Sequence, residues 1–184
     1  MARESNNSRG GSRSKSDEPK FPTIKLITPP LRMSYPKIFD PDQNDQGKDV
    51  WELDALIPPD TRYPRDHKDH GGKLFTDVLL DSLEDVMTKH FGNEDEWPQG
   101  RNDYAPKDKL RYLDPKKLPG PGVDEDWQVF RARSYQPVGI VDADKNDVLN
   151  KREAYGGRWC RLSLSITVYD QPKSKGPAIY LNNV

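Results

Sequence analysis

Hydrophobic and polar residues alternate with period two along residues 158–170. Cys160, Leu162, Leu164, Ile166 and Val168 fall on one side. Trp159, Arg161, Ser163, Ser165, Thr167 and Tyr169 fall on the other. A strand with one buried face produces this pattern. Gly156-Gly157 before it permits a sharp entry or a close backbone approach. The outward side is unusual, because an aromatic ring and a guanidinium precede small hydroxyl residues. Such a face suits a planar, anionic ligand.

Shorter runs repeat the alternation. Order begins near Phe21, and Ile24, Leu26, Leu31 and Met33 alternate around Pro29-Pro30. Proline donates nothing to a ladder, so this is an edge or a bent strand. Arg32, Ser34, Tyr35, Lys37 and Phe39 mix basic and aromatic residues, and 40–49 reads as an acidic turn. Residues 50–57 form a strand with Trp51, Leu53, Ala55 and Ile57 inward and Glu52 and Asp54 outward. Residues 127–135 place Phe130 and Ala132 on one face and Arg131, Arg133 and Tyr135 on the other. Residues 138–141 are short and apolar, and 142–153 read as a loop. After a turn at 171–176, residues 178–184 form a last strand with Ile179 and Leu181 inward and Tyr180 outward.

One segment has helical spacing. Phe75, Val78, Leu79, Ser82, Leu83, Val86 and His90 mark a helix over 73–91, stopped by Gly92. Its exposed face carries Asp77, Asp81, Glu84 and Asp85, which excludes phosphate contact there. Residues 58–72 are a polar loop, and 93–126 are Pro-, Gly- and charge-rich without a period. Loops of that length are functional or mobile. This one holds Trp97, Arg101, Tyr104, Lys107, Lys109, Arg111 and Tyr112, placed to flank a groove. The sum is a mainly β domain over 21–184: an antiparallel barrel or curled sheet with one inserted helix and long loops. Residues 1–20 are Ser-, Asn-, Gly- and charge-rich and read as a disordered arm.

Composition agrees. Hydrophobic residues make up 33% and charged residues 32%, which limits the core and favours a sheet over a helical bundle. The net charge of −1 hides an asymmetry. Residues 127–184 carry nine basic and five acidic residues, whereas 40–70 carry four and nine. The single cysteine, Cys160, allows no internal disulfide and fits a reducing cytosol. No apolar run reaches the length of a membrane span and the N-terminus has no apolar h-region, so the chain reads as soluble and intracellular, with no membrane partner.

Several motifs invite other chemistry. Asp142, Asp144, Asn146 and Glu153 occupy positions 1, 3, 5 and 12 of a calcium loop. Asp147 stands where that loop needs glycine, and its flanks are not helical, so we read a turn without metal. His67 and His70 form an H-x-x-H with no further ligands to complete a zinc set. Gly71-Gly72-Lys73 lacks the first glycine and the Ser/Thr of a phosphate loop. No nucleophile–base constellation stands out, so the chain reads as a non-enzyme that calls for no cofactor. The basic-aromatic face remains. Arg131, Arg133, Tyr135, Trp159, Arg161 and Tyr180 fall on the outward side of late strands. Unpaired bases stack on such rings, and guanidinium groups hold phosphates, without sequence specificity.

Five stretches resemble a phage family of single-stranded-DNA-binding proteins. They are residues 32–41 (Arg-Met-Ser-Tyr-Pro-Lys-Ile-Phe-Asp-Pro), residues 50–58 ending in Ile57-Pro58, and residues 136–142 (Gln-Pro-Val-Gly-Ile-Val-Asp). Residues 153–161 (Glu-Ala-Tyr-Gly-Gly-Arg-Trp-Cys-Arg) and 175–184 (Lys-Gly-Pro-Ala-Ile-Tyr-Leu-Asn-Asn-Val) are the most specific. They cover most of 31–184 in family order, while 101–126 departs from the pattern. The resemblance implies an OB-fold and single-stranded DNA binding in replication, recombination or repair, in the cytoplasm of an infected bacterium. Duplex DNA is then a weak partner at most. The matched stretches add Arg32, Tyr35, Lys37, Tyr155 and Arg158 to the expected contacts. Such proteins often end in an acidic tail, so phage or host replication proteins are expected partners through a tail absent from these residues. The competing reading is a structural phage protein that uses the barrel for protein–protein contact.

Overall fold

The computed structural model describes residues 21–184. The expected arm at 1–20 lies outside the described residues. Eight strands and one helix follow in order: β1 (Ile24–Ile27), β2 (Leu31–Gln43), β3 (Asp49–Ile57), α1 (Phe75–Phe91), β4 (Arg111–Tyr112), β5 (Gln128–Ser134), β6 (Trp159–Cys160), β7 (Ser163–Gln171) and β8 (Ser174–Asn183). They form one sheet in the order β1-β7-β8-β5-β3-β2-β6, with β4 paired to β5.

The most regular sequence run keeps its alternation but not its continuity. Leu162, Leu164, Ile166 and Val168 are all buried. The ladder breaks at Arg161 and Leu162, dividing the run into β6 and β7. β6 pairs with β2 (Leu31↔Cys160, Arg32↔Trp159), and β7 pairs with β1 (Ile27↔Ser163, Leu26↔Leu164). Opposite the break stand Pro29 and Pro30, which have no N–H to offer. Thr28 fills the gap: its backbone N–H donates to the Leu162 carbonyl (2.9 Å), and its hydroxyl accepts from the Leu162 N–H (3.0 Å).

This double pairing curls the sheet. β1 ends one side of the path, yet it runs straight into β2 near the other side. The expected barrel is therefore present in part: the sheet curls, but no continuous ladder closes it. It is also not wholly antiparallel, because β5 meets β8 in parallel at Arg133↔Tyr180.

The inner face and α1 share one core. Leu53, Ala55 and Ile57 of β3 and Phe130 and Ala132 of β5 are buried there, as their spacing predicts. Trp51 is only partly buried at its edge. Phe75, Val78, Leu79, Leu83, Val86 and Met87 supply the helix face, and Phe75 lies 6.0 Å from Phe130. Each fully buried aliphatic side chain contributes roughly 1.5–3 kcal/mol. His90, expected on the buried face, is half-exposed beside Asp170 (3.3 Å). Tyr63, assigned to a polar loop, is buried beside His67 and His70, and burial pushes its phenol up to about 12.

Three boundaries moved. β2 runs on to Gln43 through bulges near Tyr35 and Lys37, so the acidic turn is shorter than 40–49. β8 begins at Ser174, because Gln171 pairs directly with Ser174 across Pro172-Lys173. Residues 93–126 hold three 3-10 turns and β4. That segment packs on the β7–β8 hairpin, where the Tyr104 N–H donates to the Lys175 carbonyl (3.0 Å).

The Asp142 loop is a tight turn, with Lys145 in the left-handed region (φ 68°). Asp142 Oδ1 accepts from the N–H groups of Asp144 and Asn146 (both 2.9 Å), and Oδ2 accepts from Asn146 Nδ2 (3.1 Å). These donors hold the carboxyl below its usual range.

Three outcomes are expected. Leu164→Ala empties a site with no exposed surface and costs about 2–5 kcal/mol, measured by urea unfolding. Gly176→Ala destabilises the hairpin, because its φ is 149° and a Cβ there would lie 2.6 Å from the Tyr104 carbonyl oxygen. Its signature is easier proteolysis within 93–126. Millimolar calcium leaves the melting temperature unchanged, because the Asp142 oxygens already serve the turn.

Candidate nucleic-acid interface

Cross-strand partners share a face, so register sorts the outward side chains into rows. One row runs Lys37 (β2), Glu52 (β3), Arg133 (β5), Tyr180 (β8), Ser165 (β7) and Lys25 (β1). The next holds Ser34, Asp54 and Arg131. A third runs Trp159, Arg32, Leu56, Val129 and Arg111. The expected residues Trp159, Arg32, Arg131, Arg133 and Tyr180 therefore lie on one surface. They do not form one tight cluster: β6 and β5 are three strand spacings apart, roughly 14 Å.

At one end, Trp159 is 53% exposed and its ring lies 6.3 Å from that of Trp127. Trp127 belongs to a small outward cluster with Leu56, Val123 and Val129, which sequence alternation alone does not reveal. Arg32 is half-buried and fixed by two carbonyls, Gly157 (Nε, 3.1 Å) and Pro121 (Nη1, 3.0 Å). Beside Trp159 opens a cleft of about 510 Å³, lined by Met33, Ile140, Cys160 and Val184 with Arg158 and Arg161. Both arginines are exposed. Burial pushes the Cys160 thiol up to about 12, so it stays an unreactive part of that lining.

Tyr35 and Tyr155 are exposed nearby. Tyr35 holds a left-handed backbone (φ 45°) between two irregular pairs of β2. A non-glycine residue there costs about 1–3 kcal/mol. Gly156 lies beside Tyr35, with ordinary van der Waals room for a Cβ (3.8 Å to the Tyr35 nitrogen). Lys37 is spent on Asp42 (3.3 Å).

At the other end, Tyr135 and Tyr180 are 6.3 Å apart. Burial raises the Tyr180 phenol, and Tyr135 and Tyr169 raise it further. Arg131 and Arg133 do not stand free. Arg131 donates to both oxygens of Asp54 (Nε 2.7 Å, Nη2 3.0 Å) and lies 3.4 Å from Glu52. Arg133 Nε donates to Glu52 (2.9 Å). Sequence alternation puts Glu52 and Asp54 outward without showing that register sets them opposite these arginines.

The long loop adds to the same end. Lys109 Nζ sits 4.3 Å from the Tyr104 ring centroid and 5.5 Å from that of Tyr169. Trp97, Glu84, Glu94, Asp95 and Lys107 instead line a separate cleft of about 560 Å³, where the carboxylates repel phosphate. Among the described residues, no three His, Cys, Asp or Glu side chains gather closely enough to hold a metal ion. No helix there is long and apolar enough to cross a membrane.

No family model matches this chain, and no curated protein matches it by sequence. Solved structures do match it in fold. The single-stranded DNA-binding protein of bacteriophage Enc34, in complex with single-stranded DNA, superposes with a TM-score of 0.58 at 17% identity, covering 88% of this chain and 83% of that one. A second structure of the same phage protein gives 0.56 at 16% identity, covering 88% and 78%. Protein gp2.5, a single-stranded DNA-binding protein encoded by bacteriophage T7, gives 0.54 at 12% identity, covering 88% and 85%. The resemblance read from five stretches of sequence thus extends to the fold: this chain folds like phage single-stranded-DNA-binding proteins.

Proposed function

We propose that this chain is a sequence-tolerant single-stranded-DNA-binding protein of phage replication, recombination or repair. It binds through an OB-like curled sheet and performs no catalysis. One observation carries the reading: a single outward face holds exposed aromatic rings and guanidinium groups at both ends. Trp159 lies in one row with Arg32, and Tyr180 lies in another with Arg133. Aromatic faces accept any base, and cations bordering them take phosphates, so this surface needs no particular sequence. The fold shared with the Enc34 protein, solved with single-stranded DNA, supports the same reading.

Residue roles follow from position. Trp159 stacks a base, steadied by Trp127 beneath the same row. Arg161 is unpaired in the ladder and free to reach a phosphate, with Arg158 across the cleft. Tyr180 and Tyr135 offer a second stacking platform. Tyr35 and Tyr155, both exposed, extend the surface past Trp159. Arg32 orients the Gly157 turn and adds positive charge beneath it.

Titration of labelled single-stranded and duplex oligonucleotides at several salt concentrations tests this. The single strand binds more tightly, and affinity falls with salt. Trp159→Ala loses roughly 1–3 kcal/mol of binding, the range for one stacked base, with the salt slope unchanged. Arg161→Ala lowers the magnitude of the log–log slope by about 0.7, the single-strand value per phosphate. A folded Trp159→Ala that binds like the parent, together with an unaltered Arg161→Ala, would exclude this face as the binding surface.

A further inference from the structure

The cations on the sheet face differ in what already holds them. Arg131 is clamped by both oxygens of Asp54 and touched by Glu52. Arg133 is held by Glu52. Lys109 makes no salt bridge among the described residues, and aromatic rings hold it instead. It comes from the 3-10 turn Pro106–Lys109, which packs against α1 and β8. Its Nζ therefore reaches the sheet face on a packed support, beside Tyr169 and Arg133.

We infer that Lys109 is the cation that takes the phosphate backbone at the tyrosine-lined end of this face, while Glu52 and Asp54 hold Arg131 and Arg133 out of that role. The inference rests on the single-stranded-DNA reading above and assigns the division of labour within that site. A phosphate offered to Arg131 must replace two charge-assisted bonds of nearly ideal geometry. A phosphate offered to Lys109 displaces only a cation–π contact, which leaves the three ammonium protons free to donate. The carboxylates also repel an approaching phosphate, so the centre of the face is close to neutral and its loop-bordered end is positive.

The same packing gives Lys109 a distinctive titration. Burial lowers its pKa, and Arg133 lowers it further, to about 8; Asp108 acts in the opposite direction. The rings against it are Tyr104 of the loop and Tyr169 of β7, and Tyr169 in turn feels Asp103. On β8, the Lys175 ammonium is taken up by Asp170 at 2.8 Å. Arg133, the cation beside it, is itself paired with Glu52. The Tyr169 phenol is raised and stays neutral at the pH where Lys109 loses its proton. Binding at this end therefore weakens as pH rises through about 8, and the complex takes up a proton there.

Oligonucleotide titrations over salt, and from about pH 7 to about pH 9.5, test the assignment. Lys109→Met lowers the magnitude of the salt slope by about 0.7. Lys109→Arg keeps the parent slope but loses the fall in affinity above about pH 8, because guanidinium stays charged. Glu52→Gln combined with Asp54→Asn frees both arginines and raises the slope magnitude by up to about 1.4, or 0.7 for each. Melting curves of every variant confirm folding, and the charge-keeping Lys109→Arg separates lost charge from lost packing. The inference is overturned if Lys109→Met keeps the parent slope, if Lys109→Arg follows the parent pH profile, or if the double variant leaves the slope unchanged. Failure of the parent chain to bind single strands would instead overturn the proposed function beneath it.

Discussion

The structure depends on one segment pairing twice. Residues 24–33 lie antiparallel to residues 159–166, first through β1 on β7 and then through β2 on β6. Thr28 bridges the interruption with both its backbone and its hydroxyl. This pairing joins the two ends of the strand path and brings Leu26, Leu31 and Met33 into the core with Leu162 and Leu164. It also shapes the surface. Because Pro29-Pro30 has no donors, Arg161 is left outside the ladder, whereas Trp159, one step beyond, is held in register by Arg32. Trp159 and Arg161 thus owe their different freedoms to two prolines on another strand.

Charge on a sheet is a matter of register as well as composition. Opposite charges facing each other across two strands stabilise a sheet by roughly 0.2–1 kcal/mol per pair. Glu52 with Arg133, and Asp54 with Arg131, provide such support between β3 and β5. The same contacts cancel the field that an anionic strand would feel. Slipping β5 by one residue would turn both arginines inward and expose Phe130 and Ala132, so the core fixes which carboxylate each arginine meets. Counting basic residues along the late strands therefore overstates the positive potential of the face.

Period-two alternation made the inner faces of β3, β5, β7 and β8 legible, because a half-buried strand leaves no other pattern. Helical spacing located α1 within two residues. Trp159, Arg131, Arg133 and Tyr180 fall on the outward side as their alternation predicts, since facing is a local property. What was not legible is pairwise. Whether Arg131 meets Asp54 or solvent depends on a partner 77 residues away. Leu56 looks misplaced in an alternating strand until Val123, Trp127 and Val129 cover it. The break at Arg161 could not be seen within residues 158–170, because its cause lies at Pro29-Pro30. The curled but unclosed sheet, and the parallel contact between β5 and β8, are likewise properties of partners.

The segment 93–126 shows how a sequence without period can still build a surface. Its apolar residues are too sparse for an amphipathic element, yet Pro106, Leu110 and Val123 are each buried where the chain touches the sheet. Gly176, with no side chain, lets Tyr104 lie directly against the hairpin. These anchors are separated by polar turns, so the loop is fixed at points and follows the sheet between them. That arrangement suits a cation such as Lys109, since a sheet residue facing the same way would meet a cross-strand partner. A loop residue has no ladder neighbour imposed on it, and among the described residues Lys109 makes no salt bridge. The sheet carries the aromatic rings and pairs its own arginines, and the segment with the least regular pattern carries a cation that no cross-strand partner meets.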